Sequence, residues 1–209
     1  MSLELWAAFV IASCVLLIIP GPTILTVISY SVAHGRRANI PLVAAVALGD
    51  STALVVSLAG LGAVLATSAW LFLLIKWIGG LYLIYLGIKL IRSGSTPVKS
   101  EKAQSIDSRL TLFANTWLVT ALNPKGIVFF VAFLPQFINP ASPVVPQLWI
   151  LSISFVVLAT ANATLYAVFA AHARQVLASP RAQRRFNIGG GSLLAVAGGW
   201  ALTAKHVTS

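Results

Sequence analysis

The first long apolar stretch of the chain, from Leu5 to Val32, carries Pro20-Gly21-Pro22-Thr23 at its middle. Proline has no backbone donor and its ring clashes with the preceding helical turn, so a regular helix cannot run through this point. In hydrocarbon an unsatisfied backbone group costs several kcal/mol, which permits such a break only where protein or a polar cavity receives it. A second break, Leu122-Asn123-Pro124-Lys125-Gly126, lies inside the apolar run from Leu110 to Leu134. Two proline-broken apolar segments, one opening each half of a chain, point to a transporter binding site.

The chain cannot cover itself with polar surface. It is 58% hydrophobic and 9% charged, where a soluble domain carries about 25% charged residues. A soluble fold is excluded, and the expectation is an all-α integral membrane protein. About 20 helical residues cross a hydrocarbon core of roughly 30 Å. Apolar runs near 5–32, 40–61, 70–91, 110–133, 145–170 and 188–204 therefore predict six transmembrane helices in a single membrane domain, 1–209. The polar stretch 92–109 divides a first three-helix unit, 1–91, from a second, 110–209.

The formal charge of +10 would suit a nucleic-acid binder, but the basic residues fall between apolar runs. Arg36 and Arg37 follow the first run. Lys89, Arg92, Lys99, Lys102 and Arg109 surround the link after the third. Arg174, Arg181, Arg184 and Arg185 follow the fifth, and the links after the second and fourth carry no charge. The positive-inside rule then places these loops in the cytoplasm and both termini outside. Cys14 is the lone cysteine, so no intrachain disulfide forms. Met1-Ser2-Leu3-Glu4 has no basic n-region, and the first run reads as a mature span rather than a cleaved signal.

The halves match in outline. Pro20-Gly21-Pro22 corresponds to Asn123-Pro124-Lys125, Asp50 to Asn162, and Gly79-Gly80 with Gly87 to Gly189-Gly190-Gly191 with Gly198-Gly199. Three spans per half is an odd number, so the halves would insert in opposite orientation, as two inverted repeats.

Asp50 is the only acidic side chain inside an apolar run; Glu4, Glu101 and Asp107 lie in flanks or loops. A charged Asp at the bilayer centre costs about 2.5–3.5 kcal/mol, so it must be paired, protonated or facing a wet cavity. It reads as a proton carrier or a ligand for a substrate amine, or else as a buried structural pair. Lys125 is its natural opposite, able to bind a substrate carboxylate, to neutralise Asp50, or to serve only in an ion pair. Pro20, Gly21, Pro22 and Thr23 expose backbone amides and carbonyls suited to the two ends of a zwitterion. Asn123 and Pro124 offer the same from the second break. Asn162 is a weaker candidate, since an isolated Asn in a membrane helix often only bonds a neighbouring helix. Lys76 reads as a residue reaching for the interface. No Gly-x-Ser-x-Gly, His-Glu-x-x-His or Gly-Lys-Ser/Thr element is present, so the reading is not an enzyme, and no cofactor or metal is expected.

Taken in order, Pro20-Gly21-Pro22-Thr23, Leu61-Gly62, the run from Lys76-Trp77-Ile78-Gly79-Gly80 to Gly87, Asn123-Pro124-Lys125-Gly126 with Phe129-Phe130, and Phe133-Leu134-Pro135-Gln136-Phe137 resemble the LysE/RhtB superfamily of amino acid exporters. The resemblance covers nearly the whole chain. It implies a small inner-membrane carrier that exports amino acids against proton uptake, with some members assembling as homodimers or higher homo-oligomers. The family's two proline motifs carry over onto Pro20-Gly21-Pro22 and Asn123-Pro124-Lys125. With a single intramembrane carboxylate, a small neutral or branched substrate of the homoserine, threonine or leucine type is expected rather than a dibasic one. The expected partners are the amino acid, protons and the lipid bilayer, without nucleic acid. The alternatives are an exporter or facilitator of another small metabolite or ion, and a non-transporting membrane scaffold subunit.

Overall fold

Ser2 accepts a hydrogen bond from the Leu5 amide at 3.3 Å and opens helix α1, Leu3–Ile18. A computed structural model describes residues 1–67, 69–92, 108–139 and 141–203, and every described element is helical. Pro20 and Pro22 end α1. The backbone is extended at Ile19 and Gly21 and turns helical again as α2, Pro22–His34. Pro22 stands in the first turn of α2, where a missing donor costs nothing. Gly35, at φ 67, carries the chain into a 3-10 turn and then α3, Asn39–Thr67. Helix α4 covers Ala69–Arg92.

The second half opens on Ser108, whose hydroxyl accepts from the Leu110 amide and caps α5, Arg109–Ala121. The chain breaks at Leu122-Asn123 and restarts as α6, Pro124–Val128. It continues through a π-helical turn, Phe129–Phe133, and a 3-10 turn, Leu134–Phe137. Helices α7, Val144–Val168, α8, Ala170–Ala178, and α9, Pro180–Thr203, complete the chain.

These helices correct the expected six spans. Among the described residues, three helical segments are long and apolar enough to cross a membrane: Pro22–Gly60, Arg109–Phe137 and Val144–Val168. The physical reasons are local. The break leaves α1 with 16 residues, about 24 Å at 1.5 Å per residue, short of a core of roughly 30 Å. The expected turn at His34–Asn39 is itself helical, so α2 and α3 count as one stretch. The expected loop from His172 to Arg185 is also largely helical; it supplies α8 and the opening turns of α9, which carry Arg181, Arg184 and Arg185. Among the described residues three spans stand in place of six, and the inverted three-plus-three plan goes with them. Several apolar helices still make this a multi-pass membrane protein. Most of the 92–109 stretch, Lys205-His206, and the side-chain surroundings of Lys76, Gly79 and Gly80 lie outside the described residues.

An aromatic core fixes the two breaks relative to each other. Phe129, on the π-helical turn, packs its ring 6.1 Å from Phe9 of α1, 4.8 Å from Phe133 and 5.3 Å from Phe155 of α7. Phe130 meets Phe155 edge-on at 4.8 Å. Such pairs add about 0.5–1.5 kcal/mol each beyond the area they bury. On the other side, α3 and α5 touch backbone to backbone. A Cβ on Gly49 would lie 2.6 Å from Thr120 Cβ and 3.0 Å from the Trp117 carbonyl oxygen. Gly49→Val is therefore expected to destabilise the fold by about 1–3 kcal/mol through overpacking. The check is a lower melting temperature in detergent, with Gly60→Val, where an added Cβ meets nothing within 4 Å, as the control.

Candidate functional site

A broken helix leaves its last carbonyls without intrahelical donors. At the end of α1 the residues four positions after Leu16 and Ile18 are Pro20 and Pro22, neither of which has an N–H to give. Three side chains supply donors instead. Lys125 Nζ donates to the Leu16 carbonyl and, at 2.6 Å, to the Ile19 carbonyl. Asn162 Nδ2 donates to the Leu17 carbonyl at 3.1 Å, and Tyr166 Oη to the Ile18 carbonyl at 2.8 Å. The four carbonyls from Leu16 to Ile19 are thus held by α6 and α7. The ammonium of Lys125 also meets the negative end of the α1 dipole.

The second break is built to aim Lys125. Asn123 Oδ1 accepts from the Lys125 amide at 3.1 Å and so caps α6. Its Nδ2 donates to Thr23 Oγ1 at 3.0 Å. One side chain therefore starts α6 and ties it to the start of α2. Loss of a helix cap costs about 0.5–2 kcal/mol, and the Thr23 bond about 1 more. Asn123→Ala is expected to lose both, and Thr23→Val to lose the tie and keep the cap; thermal melts of the two variants in detergent separate the contributions.

Between the breaks lies a cavity of about 40 Å³. Asp50, Lys125, Asn123, Asn162, Thr23 and Gly21 all line it, together with Phe155 of the aromatic core. Asp50 is buried at 8% exposure. Of the residues singled out in the sequence, the structure brings these six together. Pro20, Pro22 and Pro124 do not line the cavity; they set the breaks that shape it. Asp50 and Lys125 both line it, but the Lys125 ammonium gives its hydrogen bonds to carbonyls of α1. Tyr166 was not legible as a site residue by type alone. It stands four positions after Asn162, which puts both on one face of α7, and that spacing is the signal that finds it.

At 40 Å³ the cavity holds about one water and is far below the roughly 300–1,000 Å³ of a ligand pocket. In this conformation the space between the breaks is closed to an amino acid. A larger recess, of about 740 Å³, opens beside the same end of α1, with Val15, Ile18 and Ile19 on one side and Arg181, Arg185 and Gly189 on the other.

The chain is similar to proteins named as translocators and efflux proteins. The family model described as LysE type translocator matches residues 14–205. A homoserine/homoserine lactone efflux protein of Salmonella typhimurium is 32% identical over 99% of this chain and 100% of its own length. An uncharacterized membrane protein of Vibrio cholerae is 32% identical over 98% of this chain and 100% of its own. A leucine efflux protein of Enterobacter is 29% identical over 66% of this chain and 64% of its own. No solved structure matches the chain.

Proposed function

The chain belongs to the LysE/RhtB superfamily of amino acid efflux transporters, and on that premise we propose that it exports a small neutral amino acid of the homoserine type from the cytoplasm by proton antiport. The observation that carries this reading is the junction of the two breaks: Lys125 bonded to the carbonyl end of α1, with Asp50 across a small shared cavity. A zwitterion needs an acceptor set for its ammonium and a donor set for its carboxylate. The end of α1 offers carbonyls. The start of α2 offers the amides of Thr23 and Ile24, which precede the first intrahelical donor and carry no side-chain cap. Both residues line the cavity. Asp50 is the group that takes a proton from outside and releases it inside as the amino acid leaves.

Homoserine is favoured over leucine because the homoserine-type relative aligns along the full chain, whereas the leucine-type relative aligns along two thirds. Arg181, Arg184 and Arg185, on the opening turns of α9, face the cytoplasm of the inner membrane in this reading. The 740 Å³ recess beside Arg181 and Arg185 is then the cytoplasmic approach.

The test uses purified protein in liposomes loaded with homoserine and the twenty common amino acids. With the outside made acidic, selective loss of homoserine that stops when a protonophore collapses the gradient is the expected result. Retention of every amino acid by vesicles holding folded protein would overturn it.

A further inference from the structure

The carbonyl end of α1 is a cation seat that is already occupied. Its occupant is a primary ammonium on an alkyl stem, held by two carbonyl oxygens. An exported amino acid carries the same group. Leu16 and Ile19 are buried, so whatever sits on their carbonyls must be desolvated and must replace the bonds it breaks. Gly21 leaves room beside the stem: a Cβ there would come 3.4 Å from Lys125 Cδ. The cavity is small where this stem and its ammonium border it.

We propose that Lys125 is a tethered competitor for the substrate's ammonium, seated on the Leu16 and Ile19 carbonyls in the closed state and displaced from them when an amino acid binds. The inference rests on the exporter reading for the identity of the competing ligand. Displaced, the Lys125 ammonium has Asp50 as its partner across the cavity. The exchange keeps the α1 carbonyls satisfied in both states, because one ammonium leaves as the other arrives. It also selects for a primary amine: a quaternary ammonium has no N–H to give to carbonyl oxygens. An amino acid of ordinary length reaches the seat only by moving Lys125, so binding and opening are one event.

Two measurements decide the proposal. In wild-type protein, Lys125 is acetylated with excess reagent and quantified by mass spectrometry against Lys89, an exposed lysine on α4. The ratio corrects for reagent consumed by the amino acid itself. Saturating homoserine is expected to raise the Lys125-to-Lys89 ratio several-fold. An unchanged or lowered ratio, in protein that transports homoserine, overturns the proposal and leaves the exporter reading standing. The second measurement does not depend on the substrate. Lys125→Ala removes three methylenes and the ammonium, which together match n-propylammonium. That ion is expected to raise the melting temperature of Lys125→Ala and not of wild type, while tetramethylammonium raises neither. Folded Lys125→Ala that responds equally to both ions, or to neither, overturns the seat. If no amino acid is transported at all, the exporter reading fails, and the propylammonium result still decides whether the seat exists.

Discussion

Lys125→Ala is expected to abolish export and to cost about 3 kcal/mol or more of stability. The reasoning starts from two hydrogen bonds with a charged donor, each worth about 1.5–3 kcal/mol. Their acceptors are the carbonyls of Leu16 and Ile19 at the end of a broken helix. Both residues are buried, so the oxygens are left without a donor when the side chain is cut back, and the penalty exceeds that of a surface contact. Asp50 simultaneously loses the one cation that lines its cavity among the described residues, and must then hold a proton or bear the cost of a buried charge without a counter-charge. Lys125→Arg keeps the charge and the donors on a bulkier head. It is expected to recover most of the stability and little of the transport, because a planar guanidinium does not release its seat to a primary amine as readily. Thermal melts in detergent and efflux from liposomes, run on both variants, check the two halves of this expectation.

Asp50→Asn separates movement of the substrate from movement of the proton. The amide has nearly the shape of the carboxyl, and Gly49 beside it still allows α3 to close on Thr120, so the fold is expected to survive. The variant has no group at this position that can gain and lose a proton. Gradient-driven net efflux is expected to fall by about tenfold or more, equivalent to at least about 1.4 kcal/mol in the barrier. Homoserine-for-homoserine exchange, which needs no proton, is expected to persist. Equal loss of exchange and net flux would instead make Asp50 a ligand for the amine.

The smallest of the site substitutions isolates one bond. Tyr166→Phe removes the donor to the Ile18 carbonyl and keeps the ring, so a stability loss of about 1 kcal/mol is expected, read as a lower melting temperature with transport retained in part.

The site was more legible than the arrangement of spans. Pro20 and Pro22 announce their own consequence, because a missing N–H four residues after Leu16 and Ile18 leaves two named carbonyls without donors. Asp50 and Lys125 stand out as charges in apolar surroundings, and any buried site for a polar solute must gather such residues. That Lys125 bonds to carbonyls rather than to Asp50 depends on the direction in which α6 starts, which Asn123 fixes through its contact with Thr23. A contact between residues a hundred positions apart has no local signature. The count of spans failed for a related reason. Hydropathy reads Leu5–Val32 as one run, yet the break divides it, and Pro22–Gly60 joins what polarity at His34–Asn39 appeared to separate. The π-helical turn at Phe129–Phe133 is equally silent in sequence, since it is set by how four phenylalanines and Phe155 share one space.

The most direct test of the account records homoserine efflux and internal pH together in the same vesicles, for wild type and Asp50→Asn. The account predicts that wild-type vesicles acidify as homoserine leaves, and that with the folded variant both acidification and net efflux fall by about tenfold or more. Acidification coupled to efflux at wild-type rates in Asp50→Asn would contradict it and remove Asp50 from the proton path.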